Sequence, residues 1–415
     1  MKIRTSIAGL ACIVITSTVA VALAGCARSG FDDDSIRAFQ QDMERLREEW
    51  KIPGMSIAVL HNQEVELARG FGFADLENQV PATENTPYNL ASCTKPIAAV
   101  ILMQYVEEGT LNLDAPMVDI LENTLIPIKY CGQEFRGYAS FLESLRDIMA
   151  DALNPLSSDF CSSYGNYNLD TELITVRHHL THTSEGVPGE TYRYNGDLYS
   201  FLSFVVNGLS GKRFDEVVVE RVTSPIGMVN TVPSINDSKR DSILANRSKY
   251  YRVGQDGEFV EAQENRPVKW PDVFEELGLE IEPSFLINAG AGIVSTVVDL
   301  AKFDVALDRN VILSERYKNL MFTASESNSG ERLPYGLGWF VQEINGKKVV
   351  WHFGYAGIHS SLILRVPEEQ KTLILLTNSG GASAEFNLGA GDVLNSPFAT
   401  AFMHHLTDVM SNRPN

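Results

Sequence analysis

Apolar residues change their period at Pro53-Gly54, and that change limits what the chain can fold into more than any other feature. Upstream, Ile36, Phe39, Met43, Leu46 and Trp50 share one face of the segment Asp34 to Trp50, the spacing of an amphipathic helix. Downstream the period is two: Met55 to Leu60, a turn at His61-Asn62-Gln63, then Glu64 to Phe73 read as a β-hairpin. The strand signal returns near the other end, over Lys348 to Phe353, Ser360 to Val366 and Thr372 to Thr377, the last two joined at Pro367-Glu368-Glu369-Gln370. The middle is rich in helix and loop patterns. Strands at both ends predict one sheet assembled from the two termini, with a second lobe built from the middle. Two stretches, Glu122 to Ile174 and Asp237 to Glu264, read as insertions over that lobe.

The first residues read as a leader rather than as fold. Lys2 and Arg4 precede an uncharged apolar run from Ser6 to Leu23 that ends in Leu23-Ala24-Gly25-Cys26, small residues where a signal peptidase cuts. This predicts a bacterial lipoprotein signal over residues 1–25 and a mature chain starting at a lipidated Cys26, with residues 26–34 as a tether. A transmembrane helix is the alternative, since about 20 uncharged residues span a bilayer, but Ala, Gly, Ser and Thr dilute the run. The expected location is therefore the membrane-anchored face of the envelope, periplasmic or cell-surface.

Composition narrows the partners. Of the 415 residues 44% are hydrophobic and 21% charged, enough for a large core. Loss of Lys2 and Arg4, with no acid in residues 1–25, takes the formal charge from -19 to -21. So acidic a chain is a poor nucleic-acid binder. Export permits a disulfide, for which Cys131 and Cys161 are the candidates, with two independent thiols the other reading. Cys93 reads as a small buried residue without a base at its own spacing.

Ser92-Cys93-Thr94-Lys95 is the only place where a serine stands three residues before a lysine. Ile97, Val100, Ile101, Gln104 and Tyr105 predict a helix from Lys95 to Glu108. Ser92 then lies at its entrance on the face of Lys95, an arrangement that suits an activated nucleophile.

Six further blocks follow the same order as a known family. With Asn89-Leu90-Ala91-Ser92 leading into Lys95, they are Ile52-Pro53-Gly54, Glu107 to Asp114, His179-Leu180-Thr181-His182-Thr183-Ser184, Ala291 to Thr296 with Asp299-Leu300, Tyr335-Gly336-Leu337-Gly338-Trp339, and His352-Phe353-Gly354. From about Ile52 to Asn378 the chain resembles the class C β-lactamase, DD-peptidase and serine-esterase family of penicillin-recognising enzymes. The resemblance implies an α/β (α+β) fold, β-lactamase/transpeptidase-like, in which an antiparallel sheet flanked by helices joins a mostly helical lobe. The catalytic domain would cover residues 35–412, with an α/β lobe at about 35–95 and 290–412 and a helical lobe at about 96–289.

It also implies roles. Ser92 would be the nucleophile, with Lys95 and Tyr194, from Tyr192-Arg193-Tyr194-Asn195-Gly196, as the proton-transfer pair; which of the two takes the proton stays open. The amides of Ser92 and Tyr355 would form the oxyanion hole, Gly354 would let substrate approach the strand, and His352 would polarise the pair or meet a substrate carboxylate. No metal or other cofactor is implied: His178, His179 and His182 lack a zinc motif. Tyr192 and Tyr199 read as packing residues, Gly290 and Gly292 as packing or turn glycines, and His404-His405 as exposed and inert.

The chain departs from the family at Gly196, where an asparagine amide usually holds the acyl substrate. Asn195 would replace it only if turned inward. Glu185 stands where the family commonly has glycine. The expectation is a serine hydrolase acting through an acyl-enzyme on an amide or ester, foremost a D-amino-acid peptide. A carboxylesterase or β-lactamase is the enzymatic alternative, and an envelope binding protein on the same scaffold the non-enzymatic one.

Overall fold

The computed structural model describes residues 30–130, 133–150, 173–234, 239–254, 256–262, 279–281 and 286–410. The fold belongs to the unit Phe31–Asn415. The leader with Cys26, and both Cys131 and Cys161, lie outside the described residues.

Seven strands form the central antiparallel sheet: β1 (Gly54–His61), β2 (Glu64–Asp75), β3 (Val80–Pro81), β4 (Phe340–Ile344), β5 (Lys347–Tyr355), β6 (Ser360–Val366) and β7 (Lys371–Thr377). Their spatial order is β4-β5-β6-β7-β1-β2-β3. The two ends of the chain meet in the β1–β7 ladder, where Met55 faces Thr377 and His61 faces Lys371. The β1–β2 hairpin turns on Asn62 and Gln63, both left-handed at φ 51° and 65°, as a two-residue turn matched to strand twist requires.

Helices cover both faces of this sheet, so its strands are apolar on both sides rather than alternating with polar residues. On β1, Ala58 and Leu60 enter one core while Met55, Ile57 and Val59 enter the other. On β7, Ile374 and Leu376 go one way and Leu373 and Leu375 the other. Each such Leu, Ile, Val or Met side chain, fully buried, contributes about 1.5–3 kcal/mol. The second core is capped by α1 (Asp33–Glu49), through Phe39, Met43 and Leu46, and by the C-terminal helix Pro397–Leu406, through Phe398, Phe402 and Met403.

The first core is built round α2 (Thr94–Glu107). Its apolar positions predict one buried stripe, yet Lys95 through Met103 are all buried. A helix surrounded on every side gains from being apolar all round, and α2 is the central post between the sheet and the helices of the middle segment. The C-terminal helix has no counterpart in the sequence reading. His405, expected to be inert, ties that helix to α1 through a 2.7 Å contact from its Nε2 to Asp42 Oδ2.

Candidate active site

Ser92 sits on a single 3-10 turn, Ala91–Cys93, that runs directly into α2. The turn is strained: Ala91 is left-handed at φ 45°, a cost of order 1–3 kcal/mol for a residue with a Cβ. Its neighbours over-determine it. Asn89 Oδ1 accepts from the Ala91 amide at 2.8 Å, and the Ile293 carbonyl accepts from the Leu90 amide at 2.8 Å. The Ser361 hydroxyl donates to the Leu90 carbonyl at 2.6 Å. The strain lifts Ser92 out of the core while Cys93 and Lys95 stay in it, at 0% and 1% exposure.

Lys95 reaches back one turn, as the i to i+3 spacing dictates. Its Nζ donates to Ser92 Oγ at 2.8 Å and to the Gly290 carbonyl at 2.9 Å. Burial pushes its pKa down to about 7, against the opposing pull of the Asp197 charge. The amine therefore exchanges its proton at neutral pH, within contact of the serine it would activate.

Tyr194 faces the same centre. The Lys95 amine lies 5.3 Å from its ring centroid. Burial pushes its phenol above the ordinary range, with the Ser92 hydroxyl acting in the other direction. Two elements hold it. His182, left-handed at φ 55°, accepts from the Arg193 amide through its carbonyl at 2.8 Å and from the Asn195 amide through Nδ1 at 3.2 Å. Its ring lies 4.4 Å from the Tyr194 ring, so one histidine brackets the tyrosine from both flanking amides. On the other side lie Phe353, 5.5 Å between centroids, and Gly389.

Four expected binding residues are placed differently from their sequence roles or only in part as expected. His352 is 0% exposed, so it does not meet substrate. Its Nδ1 lies 2.6 Å from the Phe353 carbonyl and its Nε2 2.8 Å from the Tyr335 hydroxyl. A carbonyl only accepts, so Nδ1 carries the hydrogen and Nε2 accepts from Tyr335. Burial, and then the Lys95 charge, lower its pKa well below the usual range; it is a neutral strut in β5. Gly354 does provide a close approach, but the serine turn uses it: a Cβ there would collide with Ser361 Oγ and the Leu90 carbonyl. Asn195 is not turned inward. Its Oδ1 caps the short helix Gly196–Ser200, accepting from the Asp197 and Leu198 amides at 3.1 and 3.0 Å. Tyr355 ends β5 and is 45% exposed.

Gly196 lies where its Cβ would meet only Lys95 Nζ, at 3.7 Å. A side chain there would enter the site, and its absence leaves room beside the amine. The other histidines do structural work: His178 Nδ1 accepts from the Thr175 amide at 3.1 Å in a capping box, and burial lowers His179 to about 3. Among the described residues no cluster of metal-ligating side chains occurs. The sequence does not mark Asn89, Asp197, Tyr199 or Tyr335 as site neighbours; Asn89 and Tyr335 stand within motif blocks, but only the fold shows that Asn89 holds the Ala91 amide and that the Tyr335 hydroxyl meets His352.

A strained serine at a helix entrance and packed against β5 of a seven-stranded sheet, a buried lysine against its hydroxyl and a clamped tyrosine define the serine-hydrolase class of penicillin-recognising folds. The beta-lactamase family model matches residues 37–394, and the chain belongs to that family. It is 24% identical over 386 residues to Protein flp of Staphylococcus aureus, covering 92% of this chain and 67% of that one. To penicillin-binding protein 4* of Bacillus subtilis it is 25% identical over 344 residues, 81% of this chain and 70% of the relative. Among solved structures, D-amino acid amidase from Ochrobactrum anthropi superimposes with a TM-score of 0.58 at 20% identity, over 89% of this chain and 97% of that one.

Proposed function

We propose that the protein is an exported, lipid-anchored serine hydrolase that forms an acyl-enzyme on Ser92 and cleaves amides or esters, with D-amino-acid peptides and amides as its foremost substrates. The observation that carries this reading is the 2.8 Å contact between Lys95 Nζ and Ser92 Oγ with the lysine pKa near 7. In its neutral form the amine takes the hydroxyl proton as Oγ attacks the carbonyl carbon. Tyr194, whose phenol stays protonated, passes a proton to the leaving nitrogen or oxygen and is resupplied by the Lys95 ammonium. Water then enters by the reverse route: Lys95 takes its proton, the hydroxyl attacks the acyl carbon, and the proton returns to Ser92 Oγ.

The oxyanion would be held by the amides of Ser92 and Tyr355. This reading is supported by Gly354, whose missing side chain lets β5 pack on the turn that carries Ser92. Fixed amides of this kind are worth about 2.7–4 kcal/mol in a water-poor site. The D-amino-acid preference is supported by the amidase and penicillin-binding likenesses. A short-chain ester reading is favoured by His352: at the place of a cationic third-motif lysine stands a buried neutral imidazole, which suits uncharged leaving groups. Export and anchoring are supported by the leader and Cys26.

Intact-mass analysis after a fluorophosphonate probe, with wild type and Ser92→Ala side by side, tests the chemistry. The expected result is one adduct on the wild type and none on the variant, with turnover of D-alanyl peptides, D-amino-acid amides or short esters. An adduct retained on Ser92→Ala, or no turnover of any of these classes, overturns the proposal.

A further inference from the structure

Tyr199 reads as a packing residue from sequence, but it touches Lys95 at both ends. Its ring centroid lies 5.3 Å from the Lys95 amine, and its hydroxyl donates to the Lys95 carbonyl at 3.4 Å. It is 0% exposed and closely held: the His182 ring lies 5.1 Å away, tilted by 35°, and Gly338, left-handed at φ 80°, leaves the room its hydroxyl occupies, since a Cβ there would come within 3.0 Å of it.

The Lys95 ammonium has three N–H groups and two hydrogen-bond acceptors among the described residues, Ser92 Oγ and the Gly290 carbonyl. Two aromatic rings also flank it: those of Tyr194 and Tyr199 stand at equal distance, 5.3 Å each. The negative face of a ring attracts a cation most strongly where water is excluded. We propose that Tyr199 is a positioning residue, a second aromatic wall that with Tyr194 cradles the Lys95 amine and steadies it as an ammonium after it has taken the serine proton. This rests on the reading of Lys95 as the proton acceptor.

The other groups facing Lys95 leave that role open to a ring. Cys93 is pushed up to about 12 by burial, and His182 and His352 are lowered well below their usual range by burial and the Lys95 charge, so all three are uncharged at neutral pH. The phenols of Tyr194 and Tyr199 are raised by burial and stay neutral. Asp197 supplies the one opposing charge identified there. A leucine at position 199 would fill the space with no such attraction.

The test keeps the shape and changes only the ring. Tyr199→Phe removes the hydroxyl, and 4-fluoro-, 3,5-difluoro- and 3,4,5-trifluorophenylalanine at position 199 then withdraw electron density stepwise. In the full-length protein the Lys95 titration is read from its ¹³Cε resonance, assigned by its loss in Lys95→Arg, and the acid limb of kcat/KM is followed in parallel. The expected result is a midpoint nearly unmoved by Tyr199→Phe that falls progressively along the fluorine series, by about half a unit to one unit in all. A midpoint that ignores the fluorine content overturns the role of Tyr199, whatever the activity. A midpoint that moves while the acid limb does not would keep Tyr199 beside the amine and instead remove Lys95 as the proton acceptor.

Discussion

Lys95 Nζ and the Gly290 carbonyl lie 2.9 Å apart although 195 residues separate them in the chain. With Ser92 Oγ at 2.8 Å, this contact fixes the amine in one place inside the protein, where burial makes its charge expensive. Two consequences for pH follow from that.

The first concerns activity. With Lys95 near 7 and the Tyr194 phenol raised above its ordinary range, kcat/KM should rise through about pH 7 and then stay level through pH 9, since the neutral amine is the active form. His352→Gln should lower the plateau and leave the limb in place, because the imidazole is already neutral there. A limb that disappears in His352→Gln would reassign it to the histidine.

Stability gives the second consequence. The native pKa of about 7 lies below the unperturbed 10.5. Between those values the unfolded chain binds the proton that the native state has released, so stability rises with pH across the window and the cost of burying the ammonium is complete below about 7. Lys95→Met should therefore raise Tm at pH 6 by more than at pH 10, with a difference on the order of several °C. Equal changes at both pH values would show that the buried amine does not titrate in this range.

Lys95 and Tyr194 should behave as one proton-transfer unit. Lys95→Ala and Tyr194→Phe are each expected to lower kcat/KM by at least about 100-fold. The double variant should lose little beyond the larger single defect, because groups acting in one step are non-additive. Steady-state kinetics of the four proteins checks this; multiplication of the two defects would mean separate roles.

Gly196→Asn should redirect substrate choice. The position has room, since its Cβ meets only the Lys95 amine at 3.7 Å, while the Asn195 side chain is engaged elsewhere, its Oδ1 in the helix cap and its amide with the Glu185 carboxylate. The amide so added is worth about 0.5–1.5 kcal/mol to a substrate that bonds it. Relative kcat/KM for a cephalosporin against a short ester or D-alanyl peptide should then rise about two- to tenfold, from a wild-type ratio below one. A wild-type ratio above one would restore the β-lactamase reading.

Replacing Cys26 with Ser should move the protein from the membrane fraction to the soluble one, as measured by detergent partitioning. Unchanged partitioning would favour a transmembrane leader.

The sequence alone determined what depends on neighbours along the chain. The period change at Pro53-Gly54 placed α1 and the first hairpin, and Ser360 to Val366 is a strand to the residue, because local alternation and turn chemistry set strands before any packing. The three-residue step from Ser92 to Lys95 likewise foretold their contact, since a helix entrance enforces it. Only the tertiary structure decided what depends on residues far apart. His352 lies in a quoted motif, yet its role as a sealed strut is set by Tyr335, and Gly354 serves the serine turn because Ser361 and Leu90 close on it. The lysine's proton affinity comes from burial among β-sheet, Gly290 and two tyrosine rings. Burial is a property of the whole fold, and no spacing in a single segment encodes it.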